Sequence, residues 1–217
     1  MRKLLTLLLL VLCTGIQAQV KEGSIKYKME LTGATGGDDM AAVLGNASIT
    51  IFFKNDKSLT DMVSPVYTMK TLTDSKGVLM VMETIGQKSF TRKTNEELVK
   101  EKPKGYDPQV VITKEKKKIL GYDCTKALIT TKDSKDKSST TVMWYTEKIR
   151  CSAIAGITNN DVLDKIKGTP LQIEIDKGPV KSKITAAEIS VKPVPDAVFV
   201  LSTAGYTEKK VTPPAKH

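Results

Sequence analysis

The chain has a single histidine, and it is the last residue, His217. Imidazole is the usual physiological acid/base group, the partner of serine and cysteine nucleophiles and a common zinc ligand. Without one in the body of the chain, Ser-His and Cys-His catalysis and the usual zinc sites are excluded there. No enzymatic activity, metal or cofactor is therefore expected. Arginine is also scarce: Arg2, Arg92 and Arg150 are the only arginines among 34 basic residues. Bidentate recognition of phosphates and base edges relies on the guanidinium fork. The formal charge of +10 thus does not point to nucleic acid, although a lysine-rich surface can contact an anionic membrane weakly.

Long apolar runs are missing too, except at the start. Arg2 and Lys3 precede an apolar run over residues 4–12 that is broken only by Thr6, and Thr14-Gly15-Ile16-Gln17-Ala18 follows. This reads as a signal peptide spanning residues 1–18, with cleavage expected after Ala18. The run is too short for a permanent membrane span, and no later segment approaches about 20 apolar residues. Cys13 raises the alternative of a lipid-anchored N-terminus, but Leu12 occupies the position where a lipobox carries a small residue. The expectation is an exported chain in the periplasm or cell envelope, or secreted. Residues 19–206 would form one domain, followed by a flexible basic tail over residues 207–217.

What is abundant is period-2 alternation. "SIKYKMEL" places Ile25, Tyr27, Met29 and Leu31 on one face and Lys26, Lys28 and Glu30 on the other. "ASITIFFK" and "PLQIEID" alternate likewise, and "ILGYDCTKALI" reads as a strand carrying Cys124. These patterns predict half-buried strands of an antiparallel sheet. "GVLMVME" is apolar on both faces, which predicts a central strand covered on both sides. Turn signals at Lys54-Asn55-Asp56-Lys57, Asp74-Ser75-Lys76-Gly77, Ile85-Gly86-Gln87 and Asp176-Lys177-Gly178-Pro179 suggest successive hairpins. Helices are expected to be few and short: one after Asp38-Asp39, one opened by Thr94-Asn95-Glu96-Glu97, and one opened by Asn159-Asn160-Asp161. A sheet of about ten strands must curl or close to limit its exposed edges. Sandwich, closed barrel and half-barrel all fit the pattern.

Two cysteines, Cys124 and Cys151, remain in the mature chain, and an even count permits one disulfide. A hairpin centred near residues 134–136 sets Cys124 roughly opposite Glu147, with Cys151 about 13 Å further along. That exceeds the ~7 Å Cα limit of a disulfide unless the chain turns back. No neighbouring group lowers either thiol's pKa, so neither reads as a nucleophile. Met62, Met69, Met80, Met82 and Met143 either fill an irregular core or line an adaptable groove for a flexible hydrophobic ligand. Trp144 and Tyr145 lie on opposite faces of one strand, so one of them, with Tyr145 a candidate for the groove, faces inward. The carboxylates at Asp38-Asp39 and Asp133/Asp136 lack calcium-loop spacing.

"GYDCTKALI", "VMWYTEKI", "IKGTPLQIEI", "AAEISVKPVPDAVF" and a final "GY" follow in order. This series resembles the exported bacterial proteins of domain-of-unknown-function family 4412. It is also similar to GLPGLI-type proteins, and the leader ending "AQ" looks like those of Bacteroidetes. The resemblance implies a LolA-like fold: a strongly curved antiparallel sheet forming an open half-barrel, with short helices over its concave side. It implies a non-catalytic envelope protein binding a lipid or acyl chain in that concave face. The alternative is a structural or protein-interaction module whose concavity is filled by its own side chains.

Overall fold

The computed structural model describes residues 19–32, 47–101, 107–132, 138–151, 154, 160–177 and 180–209. The leader, Cys13, the helix expected after Asp38-Asp39, and the tail beyond residue 209 lie outside the described residues.

The alternation becomes strands where it was expected. In chain order they are β1 (Glu22–Thr32), β2 (Ser48–Lys54), β3 (Lys57–Val63), β4 (Tyr67–Asp74), β5 (Gly77–Thr84), β6 (Gln87–Thr94), β7 (Gln109–Ile119), β8 (Tyr122–Lys132), β9 (Ser138–Thr146), β10 (Thr169–Lys177), β11 (Val180–Ser190) and β12 (Thr207–Glu208). All join one open sheet in the order β12-β6-β5-β4-β3-β2-β1-β11-β10-β9-β8-β7. Every pairing is antiparallel except the two-residue β12, which runs parallel to β6. The sheet is mainly β, curved and unclosed, the half-barrel expected. It has twelve strands rather than about ten, because residues 109–119 and 207–208 each add one.

Tight turns set the register. Asn55, with φ of 54°, makes the two-residue β2–β3 connection, and Gly86 with φ of 75° makes the β5–β6 connection. "ILGYDCTKALI" is not one strand but a hairpin corner. Leu120 and Gly121 have φ of 49° and 84°, and two consecutive positive values are the mark of a type I′ turn that matches strand twist. Ile119 therefore closes β7, and Tyr122 opens β8. Gly77 is needed for a different reason: a Cβ there would lie 2.1 Å from the Lys93 carbonyl oxygen on β6.

Among the described residues there are two short α-helices, α1 (Asn95–Lys100) and α2 (Asn160–Ile166). Helix α1 begins with the expected capping box: Thr94 accepts from the Glu97 N–H, and the Glu97 carboxylate accepts from the Thr94 N–H. Helix α2 lays Val162, Leu163 and Ile166 into the main core, on the concave face. That core also holds Ile25 and Tyr27 of β1, Ile49, Ile51 and Phe53 of β2, Ala127 and Ile129 of β8, Met143 and Tyr145 of β9, and Leu171 and Ile173 of β10.

The convex face is covered by a strap of mostly irregular chain, residues 194–206. Val194 N–H donates to Glu22 Oε1 at 2.8 Å, and Lys54 Nζ lies 3.0 Å from Asp196 Oδ1. A 3₁₀ turn, Asp196–Phe199, brings Phe199 with Val194 and Leu201 onto Leu59, Leu72 and Phe52, a second apolar cluster. The Tyr206 hydroxyl donates to the Glu83 carboxylate, which this bond and Lys88 hold below the usual carboxylate range. Thr207 and Glu208 then pair with Ser89 and Phe90, and Lys209 N–H donates to the Phe90 carbonyl at 2.8 Å. The start of the expected basic tail is thus held at the sheet edge.

"GVLMVME" is β5, and it is not central: it stands third from the β12 edge. Its two apolar faces have separate causes. Leu79 and Val81 lie on the convex face with the strap, whereas Val78, Met80 and Met82 lie on the concave face.

Candidate functional site

The strand registers align three rows across the concave face of β2 to β6. The first runs Ile49, Met62, Met69, Met82, Ser89; the second Ile51, Thr60, Thr71, Met80, Thr91; the third Phe53, Ser58, Thr73, Val78, Lys93. Each row leaves closed apolar core at β2 and ends on a polar residue at β6. Between them lie three methionines of the expected groove, Met69, Met80 and Met82, all half-buried. Met69 of β4 stands directly opposite Met82 of β5, with Met80 two residues along β5 on the same face, an apolar and deformable surface. Tyr67 borders it, and its hydroxyl donates to Met62 Sδ at 3.2 Å.

The other expected groove residues do not join this surface. Met62 is buried in the main core where β3 meets β2. Met143 and Tyr145 are each 2% exposed and lie on β9, whose concave face is roofed over by the apolar side of α2 and by Ile149, Cys151 and Ile154 of the same cluster. They are packing residues, closed into the main core. Trp144 points the other way, as its position beside Tyr145 required. It lies half-buried on the convex face with Lys117 Nζ 4.1 Å and Lys126 Nζ 5.8 Å from its ring centroid. Burial lowers the pKa of Lys117, whose ammonium donates to Gln172 Oε1 at 2.9 Å.

No disulfide joins the cysteines; both are buried thiols. The β8–β9 register pairs Thr125 with Tyr145, placing Cys124 opposite Thr146 rather than Glu147. Cys151 lies on the far side of β9 from β8: its N–H donates to Thr169 Oγ1 of β10 at 3.0 Å. Burial pushes the Cys124 thiol up to about 11, the opposite of what a nucleophile requires. Burial and the neighbouring Cys151 also raise the phenol of Tyr27, whose hydroxyl donates to the Pro170 carbonyl at 2.7 Å. Among the described residues, no three His, Cys, Asp or Glu side chains come together as a metal site. No helix there is long and apolar enough to cross a membrane.

Sequence reasoning overlooked a block of hydroxyls. Ser58 and Thr60 on β3 stand directly opposite Thr73 and Thr71 on β4. All four are buried, Ser58 at 0% and Thr60 at 1% exposure, and Ser58 Oγ, Thr60 Oγ1 and Thr73 Oγ1 have no hydrogen-bond partner among the described residues. Leaving a buried hydroxyl unpaired costs about 1–3 kcal/mol. Three together are a sizeable fraction of the roughly 5–15 kcal/mol net stability of a typical domain. The signal was present in "KSLTDMV", where the inward positions are Ser58, Thr60 and Met62. Their inward orientation could be known only once the β2–β3 register was fixed. The other two such atoms, Asp61 Oδ1 and Thr185 Oγ1, lie apart on the convex face. A pocket of about 350 Å³ at the β4–β5 hairpin is lined by Leu72, Leu79 and Arg92 among others, and contains none of the expected groove residues.

No protein-family model matches the chain, and no curated protein matches it. Among solved structures, PNGF-II in P21 and C2 space groups is similar, with TM-scores of 0.51 and 0.52 at 18% identity. The matches cover 87% and 88% of this chain but only 31% of the PNGF-II chain. At that identity the likeness is one of fold alone. LprF from Mycobacterium bovis, at a TM-score of 0.36 and 12% identity, is matched over 80% of this chain and 88% of its own. The LolA superfamily protein NE2245 from Nitrosomonas europaea has a TM-score of 0.39, with 12% identity and coverages of 85% and 92%. At these scores neither overlay carries an argument; the half-barrel rests on the strand order.

Proposed function

We propose that this chain is a non-catalytic, exported cell-envelope protein that shelters a hydrophobic ligand, a lipid or acyl chain, in the concave face of its sheet. The resemblance of its ordered segments to family 4412 and to GLPGLI-type proteins of Bacteroidetes belongs to the same proposal. The observation that carries it is the set Met69, Met80 and Met82: large, flexible apolar side chains half-buried side by side on the concave face. Ordinary core positions on this face are closed to a few per cent exposure. A thioether surface adapts to acyl chains of differing length and curvature. A sequence pI near 9.4 adds a weak attraction to anionic lipid surfaces.

A second reading, an interaction module with a self-filled concavity, draws on the closure of Met62, Met143 and Tyr145 into the core. Native mass spectrometry after mild purification from the cell envelope separates the two. The carrier reading predicts a population retaining a lipid-sized mass that dissociates on collisional activation. Repeated recovery of bare chain alone, with no delipidation step, would favour the interaction module.

A further inference from the structure

We propose that Ser58, Thr60 and Thr73 are the polar anchor of the groove, donating hydrogen bonds to the ester carbonyl of a neutral single-chain lipid whose tail lies along Met69, Met80 and Met82. This rests on the carrier reading and specifies which ligand fits. Three buried hydroxyl donors without acceptors are gathered on two adjacent strands, Ser58 facing Thr73 and Thr60 one step along. Buried polar groups in native proteins are almost always paired, so three orphans in one block point to an acceptor supplied from outside the chain. The next strand, in register with them, presents Val78 and Met80, so a molecule anchored on the hydroxyls meets apolar surface about one strand spacing away.

The charge around the block selects the head group. A carboxylate or phosphate buried here would need a cation. The cation in register on this face, Lys93 at the end of the Ser58–Thr73 row, is ion-paired with Glu101. Lys70 and Asp61 of the same strands pair with each other on the opposite face. Hydroxyl donors with no uncommitted cation in register among the described residues suit a neutral carbonyl acceptor.

The test uses the full mature chain, monoolein as the ester probe, and N-phenyl-1-naphthylamine as an apolar probe without an acyl head. The variants are Ser58→Ala, Thr60→Val and Thr73→Val, singly and combined. The combined variant is expected to bind monoolein at least tenfold more weakly and the naphthylamine as well as wild type does. Its ligand-free thermal midpoint should rise, because the orphan hydroxyls are gone while Thr-to-Val nearly conserves volume. Unchanged monoolein affinity in a variant that still binds the naphthylamine overturns the anchor and leaves the groove standing. A lowered ligand-free midpoint overturns it as well, since it shows that the hydroxyls serve the fold itself. If wild type binds neither probe, the groove and the anchor fall together.

Discussion

The two halves of this sheet differ in what covers and fills their faces. From β1 through β11 to β8, the concave face is sealed by α2 and the segment around Ile149 and Ile154, while the convex face shows Trp144 among lysines. From β3 to β6, the convex face is sealed by the 194–206 strap, and the concave face carries half-buried methionines beside unpartnered hydroxyls. One continuous sheet thus has a half built for packing and a half with adaptable and unsatisfied groups facing inward. The difference teaches where to look for function: proteins accept unsatisfied polar groups where another molecule completes them.

The sharpest way to break this contrast is to truncate one side chain in each half. Ile173→Ala, in the sealed half, should cost about 2–5 kcal/mol in urea unfolding. Met82→Ala should cost about 1 kcal/mol, because a half-buried side chain loses less contact, yet it should weaken binding of an apolar probe. Equal losses of stability would erase the distinction. The strap can be tested alone: Phe199→Ala should destabilise by about 3 kcal/mol, with hydrogen exchange rising first in β3 and β4, whose Leu59 and Leu72 it covers. Uniform loosening of β8 to β10 instead would show that the strap does not seal a separate region.

How far the sequence anticipated this contrast differs between the halves. Alternation and turn chemistry placed the β2–β3, β4–β5 and β5–β6 turns and the α1 cap, since each is decided by residues within a few positions. That Trp144 and Tyr145 lie on opposite faces of β9 was legible, but which of the two is inward was not. Coverage was not legible, because it depends on segments distant in sequence. Val78 to Met82 read as a central strand because two apolar faces imply two covers, and nothing local showed that the strap supplies one of them near an edge. The "ILGYDC" run read as strand because leucine rarely takes positive φ. Ser58 and Thr60 looked like outward polar positions until the register with Ile51 and Phe53 turned them inward.

Cys124 offers a pH probe of the sealed half. Its thiol, ordinarily near 9.0, is raised to about 11 in the fold, so the unfolded chain loses that proton first as pH climbs. The associated stability is fully present below about pH 9 and is lost as pH rises through about 11. At about 1.4 kcal/mol per unit, the loss is about 2–3 kcal/mol. Urea titrations of wild type and Cys124→Ala between pH 8 and 11, in the range chosen around those values, should show a steeper decline for wild type. Parallel slopes would place the thiol in contact with water. The smallest effect is expected at α1, where Thr94→Ala removes the capping box and should cost about 1 kcal/mol, with little change in ligand binding.

The central claim is that the β3–β6 concavity holds an acyl chain. The direct measurement is photo-crosslinking of the full chain with a monoacyl ester bearing a diazirine on its tail, followed by peptide mapping. The account predicts labels concentrated on the peptides carrying Met69, Met80 and Met82. Labelling spread evenly over the surface, or confined to the convex strap around Phe199, would contradict it.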